Sequence, residues 1–313
     1  MHHYIIKRTA YLILTLLIAS MFTFVVVNAT PGEPAEVLAR HLYLGLEEVA
    51  PPELIAEVSG RYNLDRPLLE QYLDWMGGVL HGDLGYSILF NKPVDKLLML
   101  YLPPTLLLTT VSMTFAVISG LFLGIYSALH QNKLRDHFIR IVTIFFVSMP
   151  GFWIAVMLML VFSIWLRLTP VAGYGGPQFI VLPAIALGLH TMASIARIMR
   201  TSMLDTMEKP FVVFAKAKGL PGRQVLLSHA CKNALLPVLT VVGMSFGALL
   251  AGSVVIETIF AWPGIGSLLM KAISARDLVL IESTIMVIVL LFLLVNFAID
   301  LLYRALDPRI TYE

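Results

Sequence analysis

Few residues of this chain are of a type and spacing that could make or break a covalent bond. Gly243-Met244-Ser245-Phe246-Gly247 has the G-x-S-x-G spacing of a serine nucleophile, which needs a strand–turn–helix elbow and an activating histidine. This copy lies inside the apolar run Val238–Phe260. There Gly243 and Gly247 read better as a small-residue packing face extended by Ala248 and Gly252, and Gly120 and Gly124 form a similar pair. Walker-type phosphate loops, an H-E-x-x-H pair and Cys/His metal clusters are all missing from the sequence. Any nucleotide that drives this protein must therefore be bound by another chain. The single cysteine, Cys231, rules out an internal disulfide. His190 stands in an apolar stretch, where an ionisable group is a functional candidate by default. Its plainer reading is a neutral imidazole bonded to a neighbouring helix or set beside a water-filled cavity. Glu257 ends an apolar run beside the Trp262-Pro263-Gly264 turn, as part of an outer gate or as a simple helix-end carboxylate. Asp300 and Arg304 stand four apart and suit a local ion pair. These are groups for binding rather than for catalysis.

The elements that carry them are built for lipid. The 313 residues are 58% hydrophobic and 13% charged, with mean hydropathy +0.84, whereas soluble domains are about 45–50% apolar and about 25% charged. A net charge of +2 gives no sign of a nucleic-acid partner. Crossing a bilayer takes about 20 apolar residues, and six stretches qualify: Thr9–Asn28, Thr105–Leu129, Ile139–Leu166, Ile180–Ile198, Val238–Phe260 and Val279–Leu302. The first also resembles a signal peptide, with Lys7 and Arg8 before it and Val27-Asn28-Ala29 after it. Its apolar run exceeds the roughly 7–15 residues of such signals, which favours a retained span. Ser148-Met149-Pro150-Gly151-Phe152-Trp153 should break the third span at membrane depth, either as a simple kink or as part of a translocation path.

Basic residues set the expected orientation. Lys7 and Arg8 precede span one, Lys133, Arg135 and Arg140 lie between span two and the start of span three, and Arg304 and Arg309 follow span six. Seven more run from Arg197, at the end of span four, through the loop to Lys232. Both termini and that loop are expected in the cytosol. The segment 30–103 is then an acidic extracytoplasmic insertion, in which Leu64, Leu68, Leu69, Tyr72, Leu73 and Met76 recur at helical spacing.

The segment between spans four and five is longer than a connector needs. Lys209–Leu220 reads as a short helix, with Pro210 in its first turn, Lys216 and Lys218 in its last, and Gly219 as its cap. Phe211, Phe214 and Ala215 are expected on one face, and a second helix from Gly222 is expected to stop near Pro237. An exposed aromatic pair implies a pocket on a partner protein; an interfacial helix on anionic lipid is the alternative.

Here the sequence resembles a known family. Ala215-Lys216-Ala217-Lys218-Gly219-Leu220, then His229, then Asn233-Ala234-Leu235-Leu236-Pro237, is similar to the "EAA" loop of ABC importer permeases of the oligopeptide/dipeptide/nickel type. Further motifs agree in order along the chain. They include Pro31-Gly32-Glu33-Pro34-Ala35, Leu64-Asp65-Arg66-Pro67-Leu68, Gly82-Asp83-Leu84-Gly85-Tyr86-Ser87, Leu102-Pro103-Pro104-Thr105-Leu106, Glu257-Thr258-Ile259-Phe260, Arg276-Asp277 and Asp307-Pro308-Arg309. The acidic residue that names the loop is absent, with Val213-Phe214-Ala215 in its place.

The resemblance implies an all-α membrane protein of six transmembrane helices with the type I (MetI-like) permease fold. Residues 1–29 would form the first span, 30–103 the insertion, 104–303 the permease core with its loop at 200–236, and 304–313 a cytoplasmic tail. It further implies a bacterial inner-membrane location, a second homologous permease, two ATP-binding subunits that hold ATP and magnesium, and an extracytoplasmic solute-binding protein. Phe211, Phe214, Ala215, Lys216, Ala217, Lys218, Gly219 and Leu220 would couple to an ATP-binding subunit. Met149, Pro150, Phe152, Trp153, Glu257 and Trp262 would line the path or its gate. No cofactor or metal site is expected on this chain. Gly173-Tyr174-Gly175-Gly176 and Ile259–Gly264 resemble the nickel-type members somewhat more than the peptide-type ones, and that resemblance leans the cargo towards nickel or a metal chelate, with di- or oligopeptides as the alternative. A channel or secondary transporter is a remote rival.

Overall fold

The computed structural model describes residues 2–29, 34–40, 50–61 and 64–306. The motifs around Pro31 and Asp307, the tail beyond 306 and the Asp300–Arg304 side chains lie outside the described residues. Among the described residues thirteen helices follow one another: α1 (His2–Asn28), α2 (Pro34–Ala39), α3 (Pro52–Arg61), α4 (Leu68–Leu80), α5 (Val94–Leu129), α6 (Leu134–Ser148), α7 (Gly151–Leu158), α8 (Pro177–Met207), α9 (Pro210–Ala217), α10 (Gly222–Gln224), α11 (Lys232–Ile259), α12 (Ile265–Ala275) and α13 (Leu278–Leu306). One two-residue antiparallel ladder, β1 (Tyr86–Ser87) with β2 (Lys92–Pro93), interrupts them.

Among the described residues five unbroken helical stretches are long and apolar enough to cross a membrane, within α1, α5, α8, α10–α11 and α13. The third expected span is a broken pair: α6 and α7, the latter continued by π-helical turns over Met159–Trp165, meet at 110°. The break falls at Met149 and Pro150, both in extended conformation. Pro150 has no N–H to donate back and disfavours helix at the residue before it, so the two helices part there.

Three boundaries differ from expectation. α5 starts at Val94 and runs through Pro103 and Pro104, because its first turns bury Val94, Leu97 and Leu98 against Leu268 and Leu280. α8 runs on to Met207. The helix from Gly222 does not stop at Pro237: it passes through π-helical turns at Val225–Cys231 and continues as α11 to Ile259. Proline there costs the backbone bond to the Asn233 carbonyl, and burial of Ala234 and Val238 beside it offsets that cost.

The chain divides into two compact units, Met1–Pro104 with Pro263–Phe297, and Thr105–Trp262 with Ala298–Glu313. In the first, Asp277 caps α13 by accepting from the Leu280 amide at 3.2 Å, while its other oxygen accepts from Ser87 Oγ at 2.6 Å and the Leu89 amide at 3.1 Å. Two motifs far apart in sequence thus meet. Gly85 beside them is held at φ +85°, and a Cβ there would stand 2.5 Å from Val279 Cγ1. α4 packs on α1 through a Tyr72–Ser20 hydrogen bond of 2.9 Å and edge contact of Tyr72 with Phe24.

In the second unit α8 is the central rod. Its buried faces meet α5 and α11 in two apolar clusters around Leu189, Ile195 and Met199 and around Leu187, Leu249 and Trp262. Glycines let the backbones approach. A Cβ at Gly120 would lie 2.8 Å from the Met192 carbonyl, one at Gly124 2.6 Å from the Ala196 carbonyl, and one at Gly188 2.7 Å from the Ser112 carbonyl. The Gly120/Gly124 face is used as its spacing suggested.

Candidate functional site

The segment 211–220 forms α9 and its turn. Val212 and Ala215 are buried against Val225, with Leu220 half-buried beside them. Phe211 and Phe214 are exposed by 41% and 61%, so the pair faces outward and Ala215 does not share that face. At 100° per residue the order around the helix is Phe214, Phe211, Ala215, Val212 over an arc of about 160°. A helix of eight residues resting on its Val212 flank therefore turns both rings away from the body. Lys218 Nζ lies 4.7 Å over the Phe214 ring, and Gly219 turns the chain at φ +75°. Ala217 and Lys218 are exposed; the Lys216 side chain lies outside the described residues. Between α9, α10 and the end of α8 is a cavity of about 370 Å³ lined by Met207, Val212, Val225 and Leu226.

Arg200 of α8 grips Asp136 of α6. Nε and Nη2 each donate at 2.7 Å, one to each carboxylate oxygen. Ser127 Oγ and the Asn132 amide donate to the same oxygens, so a carboxylate with no exposed surface has its acceptors filled. Arg200 falls in the basic run from Arg197 to Lys232, and no spacing in the sequence points to Asp136.

The residues expected at a path or gate divide into two sets. Phe152 and Trp153, after the break, are exposed by 55% and 37%; Pro150 is exposed and Met149 half-buried. Glu257 and Trp262 are interior, at 0% and 2%. Thr105 Oγ1 donates to Glu257 Oε1 at 2.7 Å, and the Trp262 amide donates to the Glu257 carbonyl at 2.8 Å. Tyr174 packs edge-on against the Trp262 indole at 4.7 Å, and the Gly173 amide donates to the Phe260 carbonyl at 2.8 Å. Glu257 and Trp262 hold a turn together from inside.

His190 is exposed on α8, and its imidazole makes no hydrogen bond among the described residues. Ser245 lies within the continuous helix α11, where no nucleophile elbow can form. Among the described residues no three His, Cys, Asp or Glu side chains cluster as metal ligands.

A membrane bundle with an outward aromatic pair on a short helix between two of its spans is the frame into which the comparisons fit. Residues 120–312 match the family described as binding-protein-dependent transport system inner membrane component. Residues 1–109 match the N-terminal family of the same membrane components. The chain belongs to this family. Relatives agree over the whole length. The di/tripeptide transport system permease protein of Pseudomonas aeruginosa is 37% identical across 99% of both chains. Glutathione transport system permease proteins of Escherichia coli O6:H1 and Salmonella typhimurium are 37% and 36% identical across 100% of both. The chain is therefore a permease subunit of an ABC importer with the MetI-like fold, a multi-pass membrane protein, and ATP hydrolysis falls to partner subunits. The permeases named here carry peptides and glutathione; the lean towards nickel gains nothing from them.

Proposed function

We propose that this permease forms half of an inward path for short peptides across the bacterial inner membrane. One observation carries the cargo: end-to-end similarity to di/tripeptide and glutathione permeases. A second homologous permease would complete the path, two ATP-binding subunits holding ATP and magnesium would drive it, and an extracytoplasmic solute-binding protein would deliver the cargo. The exposed Phe211 and Phe214, backed by the buried Val212 and Ala215, support reading α9 as the helix that enters a groove on an ATP-binding subunit. The distribution of basic residues supports both termini and α9 on the cytosolic side. Phe152 and Trp153 fit a path-lining role by their exposure after the Pro150 break, whereas Glu257 and Trp262 fit the support of a gate turn.

The test is uptake into proteoliposomes carrying the assembled transporter, with labelled dipeptide, glutathione and nickel offered in turn. ATP-dependent uptake of dipeptide or glutathione is expected. Uptake of nickel alone would overturn the cargo.

A further inference from the structure

Between Leu182 and Met207 of α8, four residues are exposed: His190, Arg197, Thr201 and Asp205. All four are polar. At 100° per residue they fall, with half-buried Ser194, inside an arc of about 80°. Every other residue of that stretch is buried or half-buried. The strip starts near the middle of the span: His190 lies about 15 Å of helical rise from Ile180 and about 12 Å from Ile198. It descends about 22 Å to Asp205, two residues before the end of the helix.

Three surroundings could meet such a strip. Hydrocarbon is the worst for His190, because an imidazole facing lipid near mid-span loses its hydrogen bonds to water, while Arg197 stands one residue from the cytosolic end of the span. A packed helix is poorly suited, since membrane helix contacts favour small residues, and α8 already spends its small-residue contacts on α5 through Gly188, Gly120 and Gly124. Water along a path suits all five polar side chains. The two arginines in the lower half of α8 also differ in their chemistry. Arg200 is saturated by Asp136, whereas Arg197, three residues earlier, has no carboxylate partner among the described residues. A guanidinium left with its planar fork of donors matches a carboxylate with two parallel hydrogen bonds.

We propose that the polar strip of α8 lines the translocation path and that Arg197, with His190 about 10 Å above it, receives the carboxylate of the peptide in transit. The carboxylate assignment rests on the peptide reading above; the lining of the path does not.

The test uses the assembled transporter in proteoliposomes. Arg197→Gln is expected to lower dipeptide uptake about ten- to hundredfold, the worth of a charge-assisted pair, with ATP hydrolysis held within about twofold of wild type. Arg197→Lys should recover part of the uptake. Equal loss of uptake and hydrolysis would overturn the carboxylate role, marking Arg197 as part of the coupling instead. A second measurement places a thiol by His190→Cys, Arg197→Cys or Thr201→Cys in a Cys231→Ser background and adds a membrane-impermeant cationic thiol reagent from either side. Reaction that slows under saturating dipeptide supports the proposal. Thiols inert in the complete complex would mean that the second permease covers the strip, and the proposal fails. Wild type that imports no peptide would defeat the cargo reading and the carboxylate assignment together, while thiol reactivity would still decide whether the strip lines a path.

Discussion

Asp136 accepts from Arg200 twice, from Ser127 and from the Asn132 amide, and none of its surface meets solvent. Removing one partner of such a pair strands the other charge, which costs about 3–5 kcal/mol. Because the Arg200 side chain keeps 17% exposure, the lower end applies. Asp136→Ala should lower the thermal unfolding midpoint of the purified protein by several degrees, while Asp136→Leu with Arg200→Leu recovers most of it. A double mutant as unstable as the single would show that the charges are not what matters there. No sequence signal announces this pair. Its members are 64 residues apart and each sits among residues of ordinary helix composition. His190, by contrast, was conspicuous as a lone imidazole in an apolar run, and only its exposure decided between a bonded core group and an open one.

At the level of elements, hydrophobic length located the spans because lipid imposes it directly. Helix ends were less legible, since prolines at 103, 104 and 237 look like stops until the packing that retains them is seen. α12 went unread: eleven residues with Ile265, Leu268 and Ala272 on one buried face are too short to stand out between two spans. α9 was legible through its cap. Gly219 at φ +75° is a position where proline cannot go and other residues strain. Gly219→Pro is expected to abolish uptake while the protein still inserts in the membrane at normal abundance. Normal uptake by that variant would remove α9 from the coupling role.

At the scale of the whole molecule, the bend of 110° at Pro150 decides how many times the chain crosses. Five unbroken crossings plus one made by α6 and α7 together would make six and return the C-terminus to the side where the chain entered; α6 and α7 as a re-entrant pair would make five. Reporter tags at the two ends are expected to be protected from protease added outside intact cells. Tags on opposite sides would make α6–α7 a re-entrant pair. The Asp136–Arg200 grip has one more consequence, which is mechanical. α9 begins three residues after α8 ends, so a push on α9 travels up the backbone of α8. Two helical turns on, it reaches the bidentate clasp and divides, part staying in α8 and part passing to α6. A load on α6 would run only as far as Met149 and Pro150, where the extended backbone breaks the helix. A thrust at one short helix would thereby be split between two levers of different length, whose ends need not move together.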